Sequence, residues 1–330
     1  MTHTILGKPV GDIGYGMMGI TFGRKPLPEE EAFAAIKAAL DSGCNYFNGG
    51  DFYGTPECNS LTLLRKYYEK YPEDADRIVL NVKGTTVNLQ PTGDREGVIA
   101  SVENSLRWLG PVGRIDQFEP ARKDLNHDYE EVTLKTIDEY VQAGKIGAIA
   151  VSEINANTLR SAAKKFKITS VEVELSLFCP EPLKNGILDA AAELDIPVLA
   201  YSPLGRGFLG GQLKSPDDIP EGDYRSHLPR YQGDNFYKNL ELVDKVNEIA
   251  VRKGCTPGQI AINWILAISR RPGMPKIIPI PGSTNPNRIR ENATKVDLTQ
   301  ADMEDIDKIL DSFVSAGDRY PAPAMRNLEL

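Results

Sequence analysis

The stretch GDIGYGMMGITFGRKPLPEEE, residues 11–31, decides between two architectures. Gly14, Gly16 and Gly19 fit the spacing G-x-G-x-x-G, which in a doubly wound sheet marks the turn that cradles a dinucleotide pyrophosphate. That turn opens directly into a helix. Here the glycines run into ITFGRKPL, a loop by composition, and helical periodicity starts only at Glu29, Glu30 and Glu31. A lone glycine pattern is weak, so the rest of the chain has to arbitrate.

Downstream, short apolar runs alternate with longer helical patterns to the end of the chain. The runs are IGYGMMGI, CNYFNG, RIVLNVKG, RIDQFEPA, IGAIAVSE, SVEVELSL, IPVLAYSP and KIIPIPGS. Between them, PEEEAFAAIKAALDSG sets Phe33, Ile36 and Leu40 on one face, with acids in its first turn and Gly43 as its stop. DREGVIASVENSLRWLG repeats the design and ends at Gly110. Eight strand–helix units in 330 residues predict a single (β/α)8 barrel domain spanning residues 1–330. THTILGKPVG predicts a β-hairpin closing the bottom, and a helical extension is expected at the C-terminus. Residues 213–234, rich in Pro, Gly and Asp, form a long loop after the seventh strand, of the kind that is functional or mobile.

Composition narrows the function classes. The balance of 38 Lys+Arg against 46 Asp+Glu gives −8 with no basic block, which argues against nucleic acid or an anionic membrane as partners. Cys44, Cys58, Cys179 and Cys255 are scattered without ligand spacing, so reduced thiols of a soluble cytoplasmic or nuclear protein are expected, with no metal site. No secretory signal or membrane-spanning run is visible.

In a barrel the chemistry belongs at the C-terminal ends of the strands. In IVLNVK, residues 78–83, Ile78, Leu80 and Val82 share the face suited to the helix ring, which turns Val79, Asn81 and Lys83 inward. An inward ammonium has to be paired or in use. FNGGDFYG, residues 47–54, places Asn48, Asp51, Phe52 and Tyr53 at the neighbouring strand end. A phenol beside a cation is a plausible general acid for reducing a carbonyl. IPIPGSTNPNRIREN leads from the last strand to Asn285 as N-cap and Pro286 at the first helical position, and is expected to offer free N–H groups and Arg288 to an anion.

Together these segments resemble the aldo-keto reductases. The resemblance covers nearly the whole chain through FNGGDFYG, VKG, AVSEINANTL, VEVELSLF, AYSPLGRGFLGGQL and IPIPGSTNPNRIREN. It implies a barrel that uses NADP(H), with Tyr53 as proton donor and Lys83 as its partner. Ser152 and Glu172 would hold the carboxamide and Tyr201 would stack on the nicotinamide. Ser202, Leu204 and Gly205 would line the pyrophosphate path. Ser283 and Arg288 would meet the 2′-phosphate, with Glu291 and Asn292 near the adenine. Where some relatives carry Lys before the phosphate serine, this chain has Gly282.

The departures are specific. Asn48 stands at the family's tetrad Asp, Ala121 at its tetrad His, and Glu172 where Gln is usual. With FEPAR and AGDRY they resemble the yeast-type pyridoxal reductases, which implies pyridoxal as the small-molecule substrate. Ala121 and Phe52 would then face the substrate, and Glu119, sharing the parity of Gln117 and Ala121, would take over part of the missing carboxylate's role. Three other readings stay open: a reductase of other aldehydes or ketones, a non-catalytic NADPH-binding regulatory subunit, and a barrel hydrolase using Asp51 and Glu119. Oligomeric state is not legible.

Overall fold

The computed structural model describes residues 3–23 and 26–329. Eight parallel strands follow one another around a ring: β1 (Tyr15–Gly16), β2 (Tyr46–Gly50), β3 (Val79–Gly84), β4 (Gln117–Pro120), β5 (Ala148–Ser152), β6 (Ile168–Glu174), β7 (Val198–Tyr201) and β8 (Ile277–Pro279). The Gly14 N–H donates to the Pro279 carbonyl at 2.9 Å and the Gly16 N–H to the Pro281 carbonyl at 3.2 Å, which joins the first strand to the last.

The glycines of the opening stretch serve that closure. A Cβ on Gly14 would stand 2.8 Å from the Tyr46 carbonyl oxygen, and one on Gly16 would stand 2.8 Å from that of Ile280. Only residues without a side chain let the backbones approach this closely. β1 is therefore shorter than its apolar run, and the chain leaves it through one helical turn, Met18–Thr21.

The helices alternate with the strands: α1 (Glu29–Asp41), α2 (Ser60–Lys70), α3 (Arg95–Leu109), α4 (Lys135–Gln142), α5 (Ala156–Lys165), α6 (Ile187–Glu193), α7 (Gly233–Lys253), α8 (Pro257–Ser269), α9 (Pro286–Asn292) and α10 (Gln300–Ser312). Asp94 caps α3 by accepting from the Gly97 N–H, and Gly110 ends it at φ 75°. α4 is entered through a π-helical turn, Tyr129–Leu134. No helix among the described residues is long and apolar enough to cross a membrane.

Strand alternation builds two cores. Ile78, Leu80 and Val82 join the large outer cluster between strands and helices. Val79 turns inward with Tyr46, Leu199, Ile278 and Ile280, and Ile5 and Val10 of the hairpin (His3–Ile5 with Lys8–Val10) plug this inner cluster from below. Each buried Ile or Leu side chain contributes about 1.5–3 kcal/mol. With the barrel floor sealed by apolar side chains, the inward polar residues collect at the opposite rim.

The long loop after β7 is a packed cover of short turns (Pro216–Asp218, Tyr224–His227, Pro229–Tyr231). Leu213, Leu228, Arg230 and Tyr231 are buried, and the Tyr231 hydroxyl donates to the Gly205 carbonyl at 2.6 Å.

Candidate active site

β3 delivers Lys83 to the rim of the barrel, buried at 4% exposure. Its ammonium donates to Glu172 Oε2 at 2.5 Å, Glu119 Oε1 at 2.8 Å and Asn48 Oδ1 at 3.0 Å. The other end of the Asn48 carboxamide donates to Glu172 Oε2 at 2.6 Å. β2, β3, β4 and β6 thus each contribute one inward side chain to a closed knot. Burial by itself pulls the ammonium toward the neutral form, but the two carboxyls outweigh it and hold the Lys83 pKa above its ordinary value.

Glu172 carries the complementary shift. Burial raises its carboxyl, Lys83 draws it down and Glu119 pushes it up again, leaving it at about 8. The expectation that Glu119 turns inward toward Lys83 is met. Glu172 was expected among the cofactor ligands; the structure places one of its oxygens on Lys83 and Asn48.

Tyr53 follows β2, 7% exposed. Its backbone carbonyl accepts from the Thr21 hydroxyl at 2.6 Å, and its ring meets Phe52 and Phe22 edge-on. Gly50 lies beneath the ring: a Cβ there would stand 2.9 Å from its Cγ. The phenol pKa is raised, because burial outweighs the downward pull of Lys83, with Glu172 and Glu119 adding to the rise. Lys83 acts in the direction the sequence suggests, drawing the phenol pKa down, without reversing the effect of burial. Asp51 is a separate group. Burial pushes it up to about 7 against hydrogen bonds from the Ser101 hydroxyl and the Phe52 N–H, and its Oδ1 has no partner.

A second polar cluster went unassigned in the sequence. Arg319, in the tail after α10, donates from Nε to Glu174 at 2.9 Å and from Nη2 to Glu153 and the Tyr201 hydroxyl, each at 2.9 Å. Arg206 reaches Glu174 at 2.7 Å, and its guanidinium lies 4.3 Å from the centre of the Tyr320 ring. The Tyr320 hydroxyl is 3.1 Å from that of Tyr201. The tail therefore crosses the rim and fixes Tyr201. AGDRY stood out as a motif, but nothing local to it names partners more than a hundred residues away.

The expected cofactor residues lie along the rims of β5, β7 and β8. Ser152 is fully buried and its hydroxyl has no partner, a vacancy suited to a carboxamide. Glu153, Ser202 and Arg206 all hold φ near 50° without being glycine, and such strained residues cluster at ligand sites. Gly205 packs so close to Phe178 that a Cβ would stand 2.5 Å from its ring. Arg288 donates to the Gly210 carbonyl at 3.2 Å, Glu291 accepts from the Thr256 hydroxyl at 2.8 Å, and Asn292 is buried. One expectation fails. The N–H groups of Asn287 and Arg288 are taken by the Asn285 side chain, at 2.9 and 3.4 Å, because an N-cap that forms well uses the donors it exposes. Any anion at this rim depends on Arg288 and Ser283, whose hydroxyl accepts from the Asn285 N–H at 3.2 Å.

Comparison with known proteins agrees with this fold. The Aldo/keto reductase family profile matches residues 12–311. A protein of Schizosaccharomyces pombe named probable pyridoxal reductase 2 is 38% identical over 95% of this chain and 96% of its own. The putative pyridoxal reductase of Saccharomyces cerevisiae is 38% identical over 94% of this chain and 95% of its own. A second S. pombe relative, an aldo-keto reductase whose name carries NADP(+), is 36% identical over 98% of this chain and 95% of its own. The glycerol dehydrogenase of Gluconobacter oxydans superposes with a TM-score of 0.81 at 24% identity, covering 96% of this chain and 97% of that one, and shares its fold.

Proposed function

The chain belongs to the aldo/keto reductase family, and on that premise we propose that it reduces pyridoxal to pyridoxine with NADPH. The observation that carries the reading is the buried Lys83 ammonium, held by Glu119, Glu172 and Asn48 on the strand that pairs with the end of β2, three residues before Tyr53. The names of the two yeast relatives support the substrate, and the name of the third supports NADP over NAD.

When bound, the reduced nicotinamide supplies a hydride to the aldehyde carbon. The Tyr53 hydroxyl gives its proton to the aldehyde oxygen as negative charge develops there, and the alcohol forms. The phenolate left behind faces Lys83, which stabilises it most when that charge is greatest. Glu119, Glu172 and Asn48 hold the ammonium in place. The raised phenol pKa keeps Tyr53 protonated until the substrate's own developing charge draws the proton away. Ser152, with its unpartnered hydroxyl, would hold the carboxamide of the cofactor, and Tyr201, fixed by Arg319, would hold the nicotinamide ring.

The test is the loss of NADPH absorbance with pyridoxal and with a panel of simple aliphatic and aromatic aldehydes. Preferred turnover of pyridoxal supports the reading. Turnover of simple aldehydes alone replaces the substrate, and NADPH binding without any turnover favours a regulatory subunit.

A further inference from the structure

Arg122, the residue after Ala121 at the end of β4, is a cation at the site with no carboxylate of its own. The other two guanidiniums of the rim cluster are matched: Arg206 by Glu174, and Arg319 by Glu153 and Glu174. Arg122 donates from Nη1 to the Ala121 carbonyl at 2.5 Å and from Nη2 to the Tyr320 hydroxyl at 3.3 Å, and it stands 5.7 Å from the centre of the Tyr320 ring. Among the described residues no carboxylate forms an ion pair with it. Glu153, already in contact with Arg319, acts on Arg122 only from beyond ion-pair distance, so the donors of this partly buried guanidinium meet just a carbonyl and a hydroxyl, and a buried charge without a partner in contact is costly.

The charge is felt at the Tyr53 phenol, which it pulls down, and at the Tyr201 hydroxyl. It is set apart from the residues expected to meet a 2′-phosphate, Ser283 and Arg288, which follow β8, since the strand order sets β4 opposite β8 in the ring. Ala121, 3% exposed, brings no polar side chain of its own to the end of β4, so Arg122 is the first side chain after the strand that can meet a charged group.

We propose that Arg122 is a specificity-determining residue that receives an anionic oxygen carried by the aldehyde substrate itself, so that the enzyme selects aromatic aldehydes bearing a phenolate or carboxylate. The inference rests on the reductase reading and narrows its substrate class. Pyridoxal fits, since its ring hydroxyl beside the aldehyde is acidic. The guanidinium offers several N–H donors in a plane, and hydrogen bonds between charged groups are roughly twice as strong as neutral ones.

The experiment compares wild type, Arg122→Gln and Arg122→Lys with NADPH and three aldehydes: pyridoxal, 4-carboxybenzaldehyde and the uncharged pyridine-4-carbaldehyde. Arg122→Gln is expected to lower kcat/KM for the two anionic aldehydes about 10–100-fold, mostly through KM, with the uncharged one changed by less than about 3-fold. Arg122→Lys recovers part of the loss. An equal loss on all three aldehydes, or on none, overturns the proposal. Calorimetric titration of the enzyme, with and without NADP+, by the non-reducible acid 4-pyridoxate separates the two readings. Binding that Arg122→Gln weakens at least about 10-fold supports the anion site even if no aldehyde turns over, an outcome that sinks only the reductase reading. Equal binding to both proteins overturns the anion site.

Discussion

Lys83 and Glu172 meet at 2.5 Å across the mouth of the barrel, from strands β3 and β6. The family pattern would put the partner carboxylate on β2, where this chain has Asn48. Here the carboxyl groups facing the ammonium come from β6 and β4, as Glu172 and Glu119, while Asn48 bridges, accepting from Lys83 and donating to Glu172. The ammonium keeps its charge through different strands.

Tyr53→Phe removes the proton donor and keeps the ring that fills the space above Gly50. Turnover is expected to fall about 10²–10⁴-fold, the usual contribution of a positioned acid. NADPH affinity, read by fluorescence titration, should remain within a few-fold. Retained turnover removes Tyr53 from its role.

Lys83→Met leaves Glu119 and Glu172 buried together without their cation. Breaking a buried pair this way costs about 3–5 kcal/mol, readable as a lower denaturant midpoint. Glu119→Gln keeps a hydrogen-bonding group of the same size and is expected to cost about 1–3 kcal/mol and to slow turnover. Unchanged stability and turnover in Glu119→Gln would show that Glu119 does not stand in for the missing carboxylate.

Glu172 makes stability depend on pH. Its carboxyl is held at about 8 in the folded protein, against an ordinary value of 4.5, so the folded state keeps a proton that the unfolded chain releases. The stabilisation from that proton is complete below about pH 4.5 and is lost as pH rises through about 8. Thermal melts at pH 6 and pH 9 should therefore show a larger drop in Tm for wild type than for Glu172→Gln. Parallel drops would place the proton elsewhere.

Arg319→Met keeps most of the side-chain volume and removes the charge that pairs with Glu153 and Glu174. Glu174 retains Arg206, whereas Glu153 loses its ion pair. The tail beyond α10 is expected to loosen, with faster limited proteolysis after residue 312 detected by mass spectrometry. Turnover should fall as Tyr201 loses a hydrogen bond. A tail as resistant as in wild type would show that Arg319 does not hold it.

Gly50→Ala puts a methyl group 2.9 Å from the Tyr53 ring, closer than van der Waals contact allows. The ring must shift, at about 1–3 kcal/mol for overpacking, and kcat should fall more than NADPH affinity. Normal kcat would mean that the glycine pair does not set the position of the phenol.

The sequence by itself determined the strand–helix alternation, the eight units and the inward parity of Lys83 and Glu119, because alternation along a strand is a local property written in consecutive residues. It also brought Asn48, Tyr53 and Ala121 to the strand ends where chemistry sits. It left the meaning of the opening glycines open, since contact between the first and last strands is set by closure of the ring. The partner of Lys83 on β6 and the grip of Arg319 on Glu153, Glu174 and Tyr201 were decided only by tertiary structure. Those pairs lie 89 or more residues apart in the chain, and burial at one rim is what forces such charges to find each other.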